Sequence, residues 1–118
     1  MIGQNSGAVG TVTVNAVLLE AGATATGVTV AQTSGATGVL SVINAGTVTL
    51  AGGGLLVAVN GGANGTVTVQ GAGSDLKTSG TAGITIGQGG NGTLNVSAGG
   101  VVNDANALAI GINGGGNG

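Results

Sequence analysis

One aliphatic pattern returns four times along this chain at a nearly constant interval, and few folds can absorb such a pattern. A four-residue phrase appears as Thr11-Val12-Thr13-Val14, Val39-Leu40-Ser41-Val42, Thr66-Val67-Thr68-Val69 and Thr93-Leu94-Asn95-Val96, with starts 28, 27 and 27 residues apart. A three-residue phrase keeps phase with it: Val28-Thr29-Val30, Leu55-Leu56-Val57, Ile84-Thr85-Ile86 and Leu108-Ala109-Ile110. Self-similarity at this period marks a solenoid, propeller or array. The phrases alternate residue by residue, which is the periodicity of a strand, and no helical pattern accompanies them. The reading is all-β: a right-handed parallel β-helix (β-solenoid) of about four coils of 24–29 residues, with no helix. The hand follows from the strong preference of parallel crossovers.

Alternation also divides the side chains. With Val12 and Val14 inward, the inward set continues as Val28, Val30, Leu40, Val42, Leu55, Val57, Val67, Val69, Ile84, Ile86, Leu94, Val96, Leu108 and Ile110, every one aliphatic. The outward set is Thr, Ser and Asn, broken by Val39, Leu56 and Ala109. Two kinds of connection separate the phrases. Residues 3–10, 31–38, 58–65, 87–92 and 111–118 are Gly-rich and end in Gly10, Gly38, Gly65, Gly92 and Gly118. Asn64, Asn91 and Asn117 precede three of those glycines, and Asn-Gly favours left-handed turns, so the tight corner is expected there. Gln4, Gln32 and Gln88 share one corner phase, and a partial amide ladder, interrupted by Val59 and Ile112, is expected from them. The second connection, residues 15–27, 43–54, 70–83 and 97–107, carries Val17 to Leu19, Val48 and Leu50, Leu76, and Val101-Val102. It reads as a third, less regular strand flanked by loops. Residues 1–118 thus form a single solenoid segment, with coils at approximately 3–30, 31–57, 58–86 and 87–110 and a partial coil at 111–118.

Composition narrows the function classes. The chain has 118 residues with Gly 29, Pro 0, Cys 0 and no aromatics, yet 42% hydrophobic content in strict phase argues against disorder. Glu20, Asp75, Lys77 and Asp104 are its only charges, and a net charge of −2 without arginine lacks the basic patch that nucleic acid requires. Without cysteine there is neither a disulfide framework nor a thiolate metal site. The start, Met1-Ile2-Gly3-Gln4, lacks the features of a signal peptide. The longest apolar runs, such as Leu55 to Val59, are far too short to cross a bilayer, so no membrane insertion is expected.

Several motifs invite chemistry and have simpler readings. Gly87-Gln88-Gly89-Gly90-Asn91-Gly92 satisfies G-x-G-x-x-G, but a strand follows it where a dinucleotide site needs a helix N-terminus. Gly61-Gly62-Ala63-Asn64-Gly65 resembles the calcium-binding nonapeptide of β-rolls without its Asp ligands. Asn64, Asn91 and Asn95 sit in Asn-x-Ser/Thr, where turn or strand chemistry accounts for them. Asp75 and Asp104 fall in the variable segments of adjacent coils, and Glu20 is assigned Asp75's phase two coils away. As an acid–base pair they would suit a glycoside, but with no aromatic platform they read as solvated loop carboxylates. Asp75 and Lys77 can pair weakly at the surface. Outward Thr11, Thr13, Thr66 and Thr68 form Thr-x-Thr motifs similar to those of ice-binding solenoids, interrupted by Val39, Ser41 and Asn95. No catalytic, cofactor-binding or metal-ligating residue is assigned; no cofactor is expected, and the chain does not read as an enzyme.

Two phrases carry a family resemblance: Gly65-Thr66-Val67-Thr68-Val69-Gln70-Gly71-Ala72-Gly73-Ser74 and Ile86-Gly87-Gln88-Gly89-Gly90-Asn91-Gly92-Thr93-Leu94-Asn95-Val96. They resemble the repeats of bacterial autotransporter (type V secretion) passengers and of PEP-CTERM-associated surface proteins. The resemblance extends over essentially the whole chain and departs at Asn15 to Thr26. It implies a β-helix stalk or adhesin passenger segment displayed outside a bacterial cell, with scaffolding rather than catalysis as its role. A self-assembling extracellular filament subunit is the alternative, followed by an ice-binding solenoid and a carbohydrate-active enzyme. Residues 111–118 match 58–65 at Asn113, Gly114, Gly115, Asn117 and Gly118, and Ile2 already occupies the last inward position of the shorter strand. Neither end carries an atypical polar repeat, so the expected partners are neighbouring repeats or further copies stacked end to end. A host, surface or polysaccharide ligand is not specified by any residue.

Overall fold

The computed structural model describes residues 1–22, 26–113 and 115–118, with the side chains of Glu20 and Ala21 outside that description. Gly114, counted in the match between corners, also lies outside the described residues. Among the described residues there are twelve strands and no helix. They fall into four triads: β1 (Val9–Asn15), β2 (Leu18–Ala21) and β3 (Val28–Val30); β4 (Thr37–Ile43), β5 (Thr47–Leu50) and β6 (Leu55–Val57); β7 (Asn64–Gln70), β8 (Asp75–Thr78) and β9 (Ile84–Ile86); β10 (Asn91–Ser97), β11 (Val101–Asp104) and β12 (Leu108–Ile110). Each triad is one coil. Strands of like position pair in parallel, giving three four-stranded sheets in the orders β1-β4-β7-β10, β2-β5-β8-β11 and β3-β6-β9-β12. The protein is a β-solenoid of about four turns.

Equivalent residues stack directly. Val12, Leu40, Val67 and Leu94 form one column, and Val14, Val42, Val69 and Val96 the next. The core holds Val14, Val30, Leu40, Val42, Leu55, Val57, Val67, Val69, Ile84 and Ile86, with Val12, Val28 and Leu94 packed partly buried against it. Each fully buried aliphatic contributes about 1.5–3 kcal/mol before chain entropy is subtracted. Three inward-phase residues differ from expectation: Val96 is 47%, Leu108 49% and Ile110 59% exposed. Their register is that of Val69, Ile84 and Ile86, so they occupy the same columns. They belong to the fourth coil, which has no coil above it to cover them.

The middle strand is more regular than its sequence suggests. β2, β5, β8 and β11 have four residues each and keep continuous register. Val48, Leu50 and Leu76 are fully buried there. Its inward columns run Leu19, Val48, Leu76, Val102 and then Leu50, Thr78, Asp104. The polar residues Thr78 and Asp104 in the second column weaken the apolar signal without changing the strand.

The corner also lies elsewhere than the Asn-Gly pairs. Asn64 and Asn91 open β7 and β10 and have extended backbones. One left-handed residue directly follows each three-residue strand or its Ile2 equivalent, at Gly3 (φ 69), Ala31 (φ 59), Ala58 (φ 55), Gly87 (φ 68) and Gly111 (φ 64), and others lie further along the same corners at Gly7, Gly35 and Gly62. Alanine costs about 1–2 kcal/mol in that conformation. Ala31 and Ala58 offset it by packing with Ala36 and Ala63 in a small buried cluster inside the corner. The glycine ending each corner answers to space instead: a Cβ on Gly38 would lie 2.6 Å from both Ala31 N and Ile2 O.

The block measures 33 × 26 × 23 Å. Four coils at about 4.8 Å per layer build a stack no taller than it is wide. The inward and outward assignments are testable at neighbouring residues. Val67→Asp, placing a carboxylate in the core, is expected to abolish cooperative folding, whereas Thr68→Asp on the outer face costs about 1 kcal/mol or less. Circular-dichroism melts that are the same for both variants would contradict the assignment.

Candidate functional site

The outer surface comprises three sheet faces and the two ends of the stack. On the sheet β1-β4-β7-β10, the outward columns are Thr11, Val39, Thr66, Thr93 and Thr13, Ser41, Thr68, Asn95. This face is polar and hydroxyl-rich, with Val39 and Asn95 breaking the threonine array. Its two rims carry paired amides: where the strands begin, Asn91 Nδ2 donates to Asn64 Oδ1 at 3.1 Å, and where they end, Asn44 Nδ2 donates to Asn15 Oδ1 at 3.1 Å. Glutamine does not form the expected ladder. Val59 separates Gln32 from Gln88, and both glutamine Oε1 atoms are buried without a hydrogen-bond partner.

The carboxylates are arranged differently from the expected loop positions. Asp75 and Asp104 are both strand residues, in β8 and β11. Asp75 is in register with Thr47 and Val101, whereas Asp104 is in register with Leu50 and Thr78. Alternation therefore puts Asp75 on the outer face and Asp104 on the inner face, which rules out their working as a facing acid–base pair. Glu20 is in register with Thr49, and Thr49 with Lys77, so it shares the phase of Lys77 and not that of Asp75. The shift arises because the first turn between strands one and two is shorter than its equivalents.

Asp104 organises the most polar corner of the fold. Its Oδ1 accepts the Thr78 hydroxyl at 2.6 Å and the Asn106 N–H at 3.2 Å, and its Oδ2 accepts the Ile84 N–H at 3.0 Å. Thr78 Oγ1 in turn accepts the Ala105 N–H at 3.2 Å, and Asn106 Nδ2 donates to Gly80 O at 2.6 Å. The network ties the turn after β8 to the turn after β11. Partial burial pushes the Asp104 carboxyl up, but the bonds from Thr78, Asn106 and Ile84 outweigh it, and the net shift is downward. A second buried polar group closes the bend between β7 and β8. The Ser74 hydroxyl donates to Gln70 O at 2.7 Å and accepts the Ala45 N–H at 3.2 Å. Neither Thr78 nor Ser74 stood out by residue type. The signal available was column phase, since Thr78 follows Leu76 by two residues as Leu50 follows Val48.

The terminal coils expose apolar side chains both at their open ends and on their outer faces, where Val9, Leu18 and Val101 are in register with the outward Thr37, Thr47 and Asp75. Exposed large aliphatic residues are Met1, Val9, Val17, Leu18 and Leu19 in the first coil, and Val96, Val101, Leu108, Ile110 and Ile112 in the last coil and the corner after it. The two middle coils contribute none to that set. In-register coils with a continuous core define a β-solenoid repeat protein. Comparison with known proteins finds no protein family, no curated protein and no solved structure that matches the chain.

Two substitutions test the polar corners. Ser74→Ala leaves Gln70 O and Ala45 N–H without their buried partner and is expected to cost about 1–3 kcal/mol in denaturant unfolding. For Asp104, the folded carboxyl releases its proton more readily than the unfolded one. Its stabilising contribution is full above the ordinary carboxylate range and is lost as pH falls through the lowered folded value. Asp104→Asn should lower the melting temperature at neutral pH and flatten the decline below about pH 4. An unchanged acid limb in the variant would show that another group governs it.

Proposed function

We propose that this chain is a structural display segment: a β-solenoid stalk or adhesin passenger piece carried at the outer surface of a bacterial cell. The observation that carries the reading is the uninterrupted side-chain column. Val14, Val42, Val69 and Val96 continue from one end of the structure to the other, and the coil at each end presents aliphatic residues to whatever comes next. Such a stack extends by addition of coils without altering its cross-section. The outward Thr, Ser and Asn columns keep its flanks wettable, and the autotransporter-like phrasing of residues 65–74 and 86–96 supports an extracellular setting. The role on this reading is to hold and space other parts, not to catalyse.

A second reading is a filament subunit, favoured by the aliphatic residues gathered at both ends. One comparison separates the two. A stalk appears in electron micrographs as rods of fixed length, and a filament as rods whose length grows with protein concentration. Immunogold labelling of intact cells tests the location: label on the outer surface is the expected result, and label found only inside lysed cells would refute surface display.

A further inference from the structure

We propose that the interaction surface of this chain is its pair of end faces, and that each accepts a second copy of the chain in one defined register, head to tail. This deepens the filament reading and rests on it. The argument starts from the spacing of equivalent strands. Every strand pairing between coils joins a residue to its equivalent one layer away: Thr13 to Ser41, Ser41 to Thr68, Thr68 to Asn95. The outer edges of β1 and β10 are the free ends of this ladder. A second copy placed one layer beyond β10 sets its Val12 over Leu94, its Val14 over Val96, its Leu19 over Val102 and its Val28 over Leu108. Each of these pairs is aliphatic on aliphatic, as in the interior columns, and each covers a residue left half-buried or exposed in the single chain. The reversed arrangement, with two last coils face to face, runs the strands antiparallel and brings no column onto its own continuation.

The same register has a consequence at the corner. Ile2 bridges to Val30, and Asn117 bridges to Asn91. Following the columns, Ile2, Val30, Val57, Ile86 and Ile110 are equivalent, and so are Val9, Thr37, Asn64, Asn91 and Asn117. Residues 2–10 of the incoming copy and residues 110–118 of the receiving copy therefore claim one and the same corner. Only one segment fits it. Each joint seats one of the two and releases the other, so assembly is an exchange of equivalent ends and not a simple contact.

The chain contains no cysteine, which makes disulfide trapping clean. Thr13→Cys and Asn95→Cys place thiols on exposed residues of one outward column. Within one chain they stand three layers apart, roughly 14 Å, beyond disulfide reach, whereas across the proposed joint they are neighbours. The two full-length variants are mixed, concentrated and oxidised mildly, and hydrogen exchange is followed on the unmodified protein as concentration rises. The expected result is a dominant Thr13→Cys to Asn95→Cys cross-link, with the amides of either 3–10 or 111–118 losing protection on assembly. Dominant cross-links between two identical variants overturn the register, as does the mixed cross-link without loss of protection in either segment. A protein that stays monomeric and uncross-linked overturns self-association altogether. Neither failure touches the surface-display reading, which immunogold labelling tests separately.

Discussion

The parallel backbone ladder between coils is the interaction on which everything else in this structure depends. It fixes each residue against its own equivalent about 27 residues away, so one inward aliphatic becomes a column and five columns of Val, Leu and Ile become a core. No disulfide and no aromatic reinforces it. Because only strand register must be conserved, the connections are free to vary. The turn between the second and third strands has six residues in the first coil, four in the second, five in the third and three in the fourth, while the sheets on either side keep pairing.

A ladder of this kind is satisfied only where it has neighbours on both sides. Val69 and Val96 are the same residue in the same column, yet one is fully buried and the other 47% exposed. Val69 lies between two coils and Val96 at the open face of the last one, while Val14, in the same column of the first coil, is buried. Exposure of the inward columns rises in the terminal coils, where Val96, Leu108 and Ile110 lack a covering layer, and the outer faces of those same coils also carry Val9, Leu18 and Val101. The polar knot around Asp104 lies at one end of the stack. Its three accepted hydrogen bonds keep an inward carboxylate tolerable in a column that elsewhere carries Leu50 and Thr78.

The period, the two strong strands and the direction of their side chains were legible because alternation is a one-dimensional signal and aliphatic residues report it directly. The middle strand was harder to read at its far end, where Thr78 and Asp104 fill inward positions through hydrogen bonds that depend on residues a full coil away. Corner chemistry misled for a related reason. Asn-Gly favours a left-handed turn in isolation, but at Asn64-Gly65 the strand continues through the pair, and the glycine is there because the interior has no room for a Cβ. Left-handed conformations fall instead on residues such as Ala31 and Ala58, whose strain is offset by an alanine cluster that only the folded stack assembles. The phase of Glu20 is set by turn length, which varies between coils and leaves no mark in the aliphatic pattern. No residue pattern marked a site, since what the chain presents is a surface made by repetition.

The in-register ladder also governs how the molecule would yield to force. Every hydrogen bond of the three sheets lies along the stacking direction, so tension applied to the two chain ends acts on the terminal coil first, and on the next only when that one has peeled away. Each coil holds about 27 residues and releases roughly 90 Å of slack as it unravels. A stack built this way lengthens in nearly even increments under strain, giving up one turn while those behind it stay folded.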